Sequence, residues 1–133
     1  MIFLDVNVPM YLIGAARPHK TDSQILLERL STAGERLVTD AEVLQEVLHR
    51  YTSFGTRKAI DPALRLIQNI VDEVYPIEKR DVLRAAEIVQ HRSRLSARGA
   101  IHIAVMEHRG IASILSFDGD FDRWPGLKRV YRI

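Results

Sequence analysis

The chain has 133 residues, 47% apolar and 27% charged, which is the balance of one globular domain with a real core and excludes a disordered or fibrous chain. Its 19 Lys and Arg against 17 Asp and Glu leave a net charge of +2, too small to argue for nucleic acid on charge alone. There is no Cys, so disulfides and thiolate metal sites are excluded, and no apolar run approaches the roughly 20 residues that a membrane span needs.

Met1–Val8 lacks a basic leader and is interrupted by Asp5, so it does not read as a signal peptide, and a cytoplasmic location is expected. Ile2-Phe3-Leu4 is apolar on both sides, as in a central strand of a parallel sheet, and Asp5 ends it. Pro9 fits the first turn of a helix, before Gly14 and Pro18 break the pattern. Asp22–Ala33 is helical, with Ile25, Leu26, Leu30 and Ala33 as its apolar face, and Gly34 stops it. Arg36–Thr39 is a short strand. Thr39 and Glu42 have the spacing of a capping box, and Val43, Leu44, Val47, Leu48 and Tyr51 form the buried stripe of the helix that follows.

Beyond a loop at Phe54–Arg57, a helix presents Leu64, Ile67, Ile70 and Val71 on one face. Glu73–Ile77 is a strand, and Asp81–His91 a helix with Val82, Ala86 and Val89 inward. Ser96 is the N-cap of a helix through Arg109 that is apolar nearly all round and therefore well covered, with Gly110 at its end. Ala112–Leu115 is a strand leading into a polar loop at Ser116–Asp120, and Arg129–Ile133 is an edge strand. Strands alternating with helices imply one α/β domain over residues 1–133. The expected architecture is a three-layer α/β/α sandwich around a mostly parallel sheet of four to five strands.

In such folds ligands bind beyond the carboxyl ends of the strands. Asp5 and Asp118 both end strands, so a parallel sheet brings them to one rim. Asp is disfavoured in buried strands, and two acids on one rim point to a cation site more than to helix capping. Glu46 lies about 60° outside the edge of its helix's apolar stripe. It could join this rim, but on spacing alone a surface pair with Arg50, four residues on, is favoured.

Four segments resemble one family. They are Ile2–Asn7, Glu46 in a helix after a short second strand, Leu95–Ala104, and Leu115–Phe121. In this order they resemble the PIN domains, and more narrowly the VapC toxins of bacterial toxin–antitoxin pairs. The resemblance spans essentially the whole chain. It implies a Mg²⁺- or Mn²⁺-dependent endoribonuclease, with Asp5, Glu46 and Asp118 as acids, Asp120 as an auxiliary metal ligand, and Asn7 and Ser116 in support. Hard oxygen ligands suit these ions. It also implies a homodimer, a VapB-like antitoxin through which any DNA would be bound, and an RNA substrate such as transfer RNA. Arg17, Arg50 and Arg98 are candidate RNA contacts.

One position departs from the family pattern. Gly99 stands between Arg98 and Ala100, where the third acid is expected. With Ser96 as N-cap this is also the third helical position, where an acid would favour the helix dipole and Gly costs about 1 kcal/mol relative to Ala. The expectation is weak metal binding and impaired cleavage. The alternative is an inactive PIN domain that only binds antitoxin or RNA.

Other chemistries fit less well. A calcium loop starting at Asp118 would need Gly and Glu where Arg123 and Arg129 stand. An aspartyl-phosphate phosphatase would need a second Asp at Asn7. His102 and His108 lack the spacing of zinc ligands, and His102 reads as a packed or solvated residue.

Overall fold

The computed structural model describes residues 1–13, 18–92 and 94–132. Five strands form one sheet: β1 (Ile2–Leu4), β2 (Leu37–Asp40), β3 (Glu73–Tyr75), β4 (Ser113–Leu115) and β5 (Lys128–Val130). Their order is β3-β2-β1-β4-β5 and every pairing is parallel. The first strand is therefore central, as its unbroken apolar run implies. Among the described residues six α-helices cover the sheet: α1 (Asn7–Ile13), α2 (Pro18–Thr32), α3 (Ala41–Ser53), α4 (Ile60–Ile70), α5 (Lys79–His91) and α6 (Ala97–Arg109). The expected α/β/α layering holds, and β5 is an edge strand as expected, spanning Lys128–Val130 where the sequence indicates Arg129–Ile133; Ile133 lies outside the described residues.

The alternation of side chains along each strand divides the core in two. Phe3, Val38 and Ile114 face α3, α5 and α6, packing on Val43, Val47, Ile88 and Ile103. Ile2, Leu4, Leu37 and Leu115 face the other way, onto Leu26 and Leu30 of α2 and Val8 of α1. Gly110 closes α6 in the left-handed conformation, at φ 69°, which glycine adopts without strain.

Three local expectations are corrected. No Thr39–Glu42 capping box forms. Thr39 belongs to β2, and its buried hydroxyl donates to the Leu4 carbonyl at 2.7 Å. Asp40 caps α3 instead, accepting from the Val43 N–H at 3.0 Å. The inner face of α3 is consequently turned towards Glu46, and Leu48 is 48% exposed. On α5 the inward residues are Asp81, Ala85 and Ile88, while Val82 is 48% exposed and Ala86 also lies outside. The cause is Asp81, which accepts from the Glu78 N–H and pairs with His108 on α6. Once that carboxylate is turned inwards, the residues four and seven positions on follow it. On α2, Leu26 and Leu30 are buried but Ile25 and Ala33 are not.

Candidate active site

The carboxyl ends of β1, β2 and β4 lie side by side, and each delivers a polar residue to one rim. Asp5 follows β1, Asp40 ends β2 and Ser116 follows β4; all three are buried. The Asp5 N–H donates to the Leu115 carbonyl, which seats Asp5 against β4. One Asp5 carboxylate oxygen accepts from the Val6 N–H at 2.8 Å and the other from the Ser116 hydroxyl at 2.6 Å. That hydroxyl oxygen also accepts from Asn7 Nδ2 at 3.2 Å and from the Asp118 N–H at 3.0 Å. Asn7 in turn accepts the Phe117 N–H through Oδ1. Ser116 thus bonds Asp5 directly and Asn7 bonds Ser116, and together they fasten the β4 loop to Asp5.

Glu46 arrives from α3. It is only 9% exposed, so it joins the rim and does not form a surface pair with Arg50. Between it and Asp40 lies His102, 1% exposed and packed against the Phe3 ring at 5.1 Å. Its Nδ1 is 2.8 Å from Asp40 Oδ2 and its Nε2 is 2.9 Å from Glu46 Oε1. Nε2 also stands 3.9 Å from Asp5 Oδ1. Carboxylates only accept, so an imidazole facing them from both nitrogens donates from both. Burial by itself would lower the His102 pKa. The charge and hydrogen bond of Asp40, the bond to Glu46 and the charge of Asp5 outweigh it and hold the ring well above its ordinary value.

Of the two readings from sequence, His102 is the packed and not the solvated residue, and it does more than fill space, because it bridges two acids. The signal that was available is a polar residue on the inner face of a helix that is otherwise apolar nearly all round. It also lies three positions from Gly99 and so on the same face.

Three buried carboxylates thus share one imidazolium. Asp5 shows the deficit: burial raises its carboxyl above the ordinary range, and the lowering effects of His102 and of the Ser116 and Val6 hydrogen bonds do not cancel it. Asp5, Glu46 and His102 each place one donor atom within 4.8 Å of the others. Both nitrogens of His102 are committed as donors, which leaves the oxygens of Asp5 and Glu46 to hold a cation. An oxygen set of this kind, with a surplus of negative charge, fits a hard divalent ion.

Asp118 lies beside this cluster rather than in it. Its backbone is tied to Ser116, but its exposed carboxylate caps the turn Gly119–Arg123 by accepting from the Asp120 N–H at 2.9 Å. Asp120 is half-buried and faces Arg123 at 3.9 Å. Gly99 sits one turn before His102, with its N–H donated to the Ser96 hydroxyl at 3.0 Å. A Cβ there would lie 3.2 Å from Ser96 Oγ and 3.7 Å from the Phe121 ring, so a side chain requires only a small shift of the cap. Arg50 and Arg98 line a cavity of about 210 Å³ that shares Glu46 as a wall and is completed by Val6, His49, Ser53 and Phe54. Arg17 lies outside the described residues.

The chain matches the PIN domain family over residues 2–127. This chain belongs to the PIN-domain family. Within it, this PIN domain is 55% identical over 130 residues to ribonuclease VapC13 of Mycobacterium tuberculosis and to a VapC ribonuclease of Mycobacterium bovis, covering 98% of this chain and 99% of each relative. Among solved structures it resembles M. tuberculosis VapC20, described as a toxin that cleaves the sarcin–ricin loop. That likeness has a TM-score of 0.74 and 25% identity, over 92% of this chain and 93% of that one. It also shares the fold of VapBC2 from Rickettsia felis, solved on a promoter DNA fragment, with a TM-score of 0.74 at 15% identity over 98% of each chain. No helix among the described residues is long and apolar enough to cross a membrane.

Proposed function

We propose that this PIN domain is the toxin of a type II toxin–antitoxin pair, built as a divalent-metal-dependent endoribonuclease whose own cleavage is impaired because Gly99 replaces the third acid. The observation that carries this reading is the convergence of Asp5 and Glu46 with His102, residues far apart in sequence, near the first turn of α6 that holds Gly99. The names of the 55%-identical relatives support the RNA-cleaving activity.

Asp5 and Glu46 would hold Mg²⁺ or Mn²⁺, with Asp118 and Asp120 at the open side of the pocket. When bound, the ion supplies Lewis acidity for hydrolysis of the RNA phosphodiester and neutralises charge on the phosphate. Ser116 and Asn7 keep Asp5 oriented, and Arg50 and Arg98 flank the pocket where backbone phosphates would run. With one carboxylate fewer than the family pattern, metal is held weakly.

Mn²⁺ titration of this chain and of Gly99→Asp, with RNA cleavage followed in parallel, tests the reading. The substitution is expected to tighten Mn²⁺ binding and to raise metal-dependent cleavage, and no gain over the parent would refute it. Gly99 also favours a second reading, an inactive domain that only binds antitoxin or RNA. Retained binding without cleavage in Mn²⁺, in both chains, would select that one. The expected partners are a VapB-like antitoxin, which would carry any DNA binding, a second copy of the chain, and RNA such as transfer RNA. The expected setting is the cytoplasm. Toxin–antitoxin complexes of the same fold support the antitoxin.

A further inference from the structure

Asp40 performs two tasks at once. Its Oδ1 accepts the Val43 N–H and so fixes the start of α3, the helix that carries Glu46. Its Oδ2 holds Nδ1 of His102, whose other nitrogen is bonded to the Glu46 carboxylate. The result is a closed loop, from Asp40 along α3 to Glu46, across to His102 on α6, and back to Asp40. Asp40 is fully buried and His102 1% exposed, with the ring wedged against Phe3, so neither side chain has room to turn.

We propose that Asp40 and His102 are positioning residues that lock the Glu46 carboxylate onto the rim of the metal pocket. The proposal rests on the metal-dependent reading above. Neither side chain reaches the surface. Asp40 sets the helix and the imidazole, and the imidazole sets Glu46. A glutamate side chain has several rotatable bonds, and without this partner it would sample several rotamers on the pocket wall. Partners that orient a ligating group are typically worth about 10- to 100-fold in metal affinity. A merely structural role would change stability and leave the Mn²⁺ affinity and the Glu46 resonance of a folded variant as in the parent.

The test uses the full chain. Asp40→Asn keeps an oxygen for the α3 cap but presents an amide to Nδ1, whereas His102→Phe fills the space and removes both bonds. In each variant Mn²⁺ affinity is read by electron paramagnetic resonance, and cleavage is read in the Gly99→Asp background. The expected result is Mn²⁺ binding weaker by about 10-fold or more, with kcat reduced and KM for RNA little changed. A folded variant that binds Mn²⁺ and cleaves like its parent would overturn the proposal.

A readout free of metal keeps the two readings separate. The ¹³Cδ resonance of Glu46 and the imidazole ¹⁵N resonances of His102 are expected to shift together in Asp40→Asn, the variant that keeps the cap. A Glu46 signal unmoved by that change would refute the positioning role, even if His102→Phe failed to fold. A Gly99→Asp chain that never cleaves RNA would instead refute the function and leave this readout standing.

Discussion

Position 99 has two opposing effects on stability. Its backbone is helical and its N–H is held by Ser96, so nothing local requires glycine there. Replacing Gly by Ala inside a helix is worth about 1 kcal/mol, but the new Cβ would crowd the cap hydroxyl at 3.2 Å. Gly99→Ala is therefore expected to stabilise the chain by less than about 1 kcal/mol, as read from urea unfolding, and a loss of stability would show that the Ser96 cap cannot yield. Ser96→Ala removes the acceptor itself. It is expected to cost about 1 kcal/mol in the same measurement, because the N–H of Gly99 then faces a partly buried site without its partner.

Among the elements, β1 carries part of the site, whereas the contact between α5 and α6 supports the fold away from it. Asp5 is where it is because β1 is central and buried, with Leu4 fully inaccessible on the face that meets α2. Leu4→Ala is expected to cost about 2–5 kcal/mol, seen as a lower urea midpoint, and to loosen the Asp5 end of the strand with it. The second element pair is joined by Asp81 and His108, and the same carboxylate caps the start of α5. Asp81→Ala is expected to destabilise the fold by about 1–3 kcal/mol, while leaving intact the Mn²⁺ affinity of a Gly99→Asp parent. Loss of metal binding there would mean that the α5–α6 contact reaches the pocket. The α5 stripe was misread from sequence for the same reason. Periodicity ranks Val82 above an acid for the interior, and only the presence of His108 on a neighbouring helix reverses that order.

For the whole molecule, a net charge of +2 supplies no strong long-range attraction for RNA. Under the proposed function, affinity for RNA would come from local contacts, and Arg50 and Arg98 line the cavity beside Glu46. RNA binding by this chain in the absence of metal is expected to weaken with salt, on a modest log–log slope. Arg50→Ala is expected to reduce that slope by about one while weakening all RNA sequences alike. An unchanged slope would remove Arg50 from the binding surface.

The order of elements, the parallel sheet and the place of Asp5 at the end of its first strand were legible in the sequence alone, because they follow from local periodicity, a property of neighbouring residues. Asn7, Ser116 and the departure at Gly99 were legible only through the resemblance of whole motifs to a family, and spacing left Glu46 as a surface residue until the fold buried it. Which way Asp118 turns its carboxylate, that Asp40 and not Thr39 caps α3, and that His102 bridges two acids were decided only by the tertiary structure. Each depends on a partner dozens of positions away or on competition between two backbone groups for one side chain. No local pattern encodes the strength of that competition, because it is settled by burial: once β2, α3 and α6 have excluded water, every polar group in that space must pair with whatever else has been enclosed there.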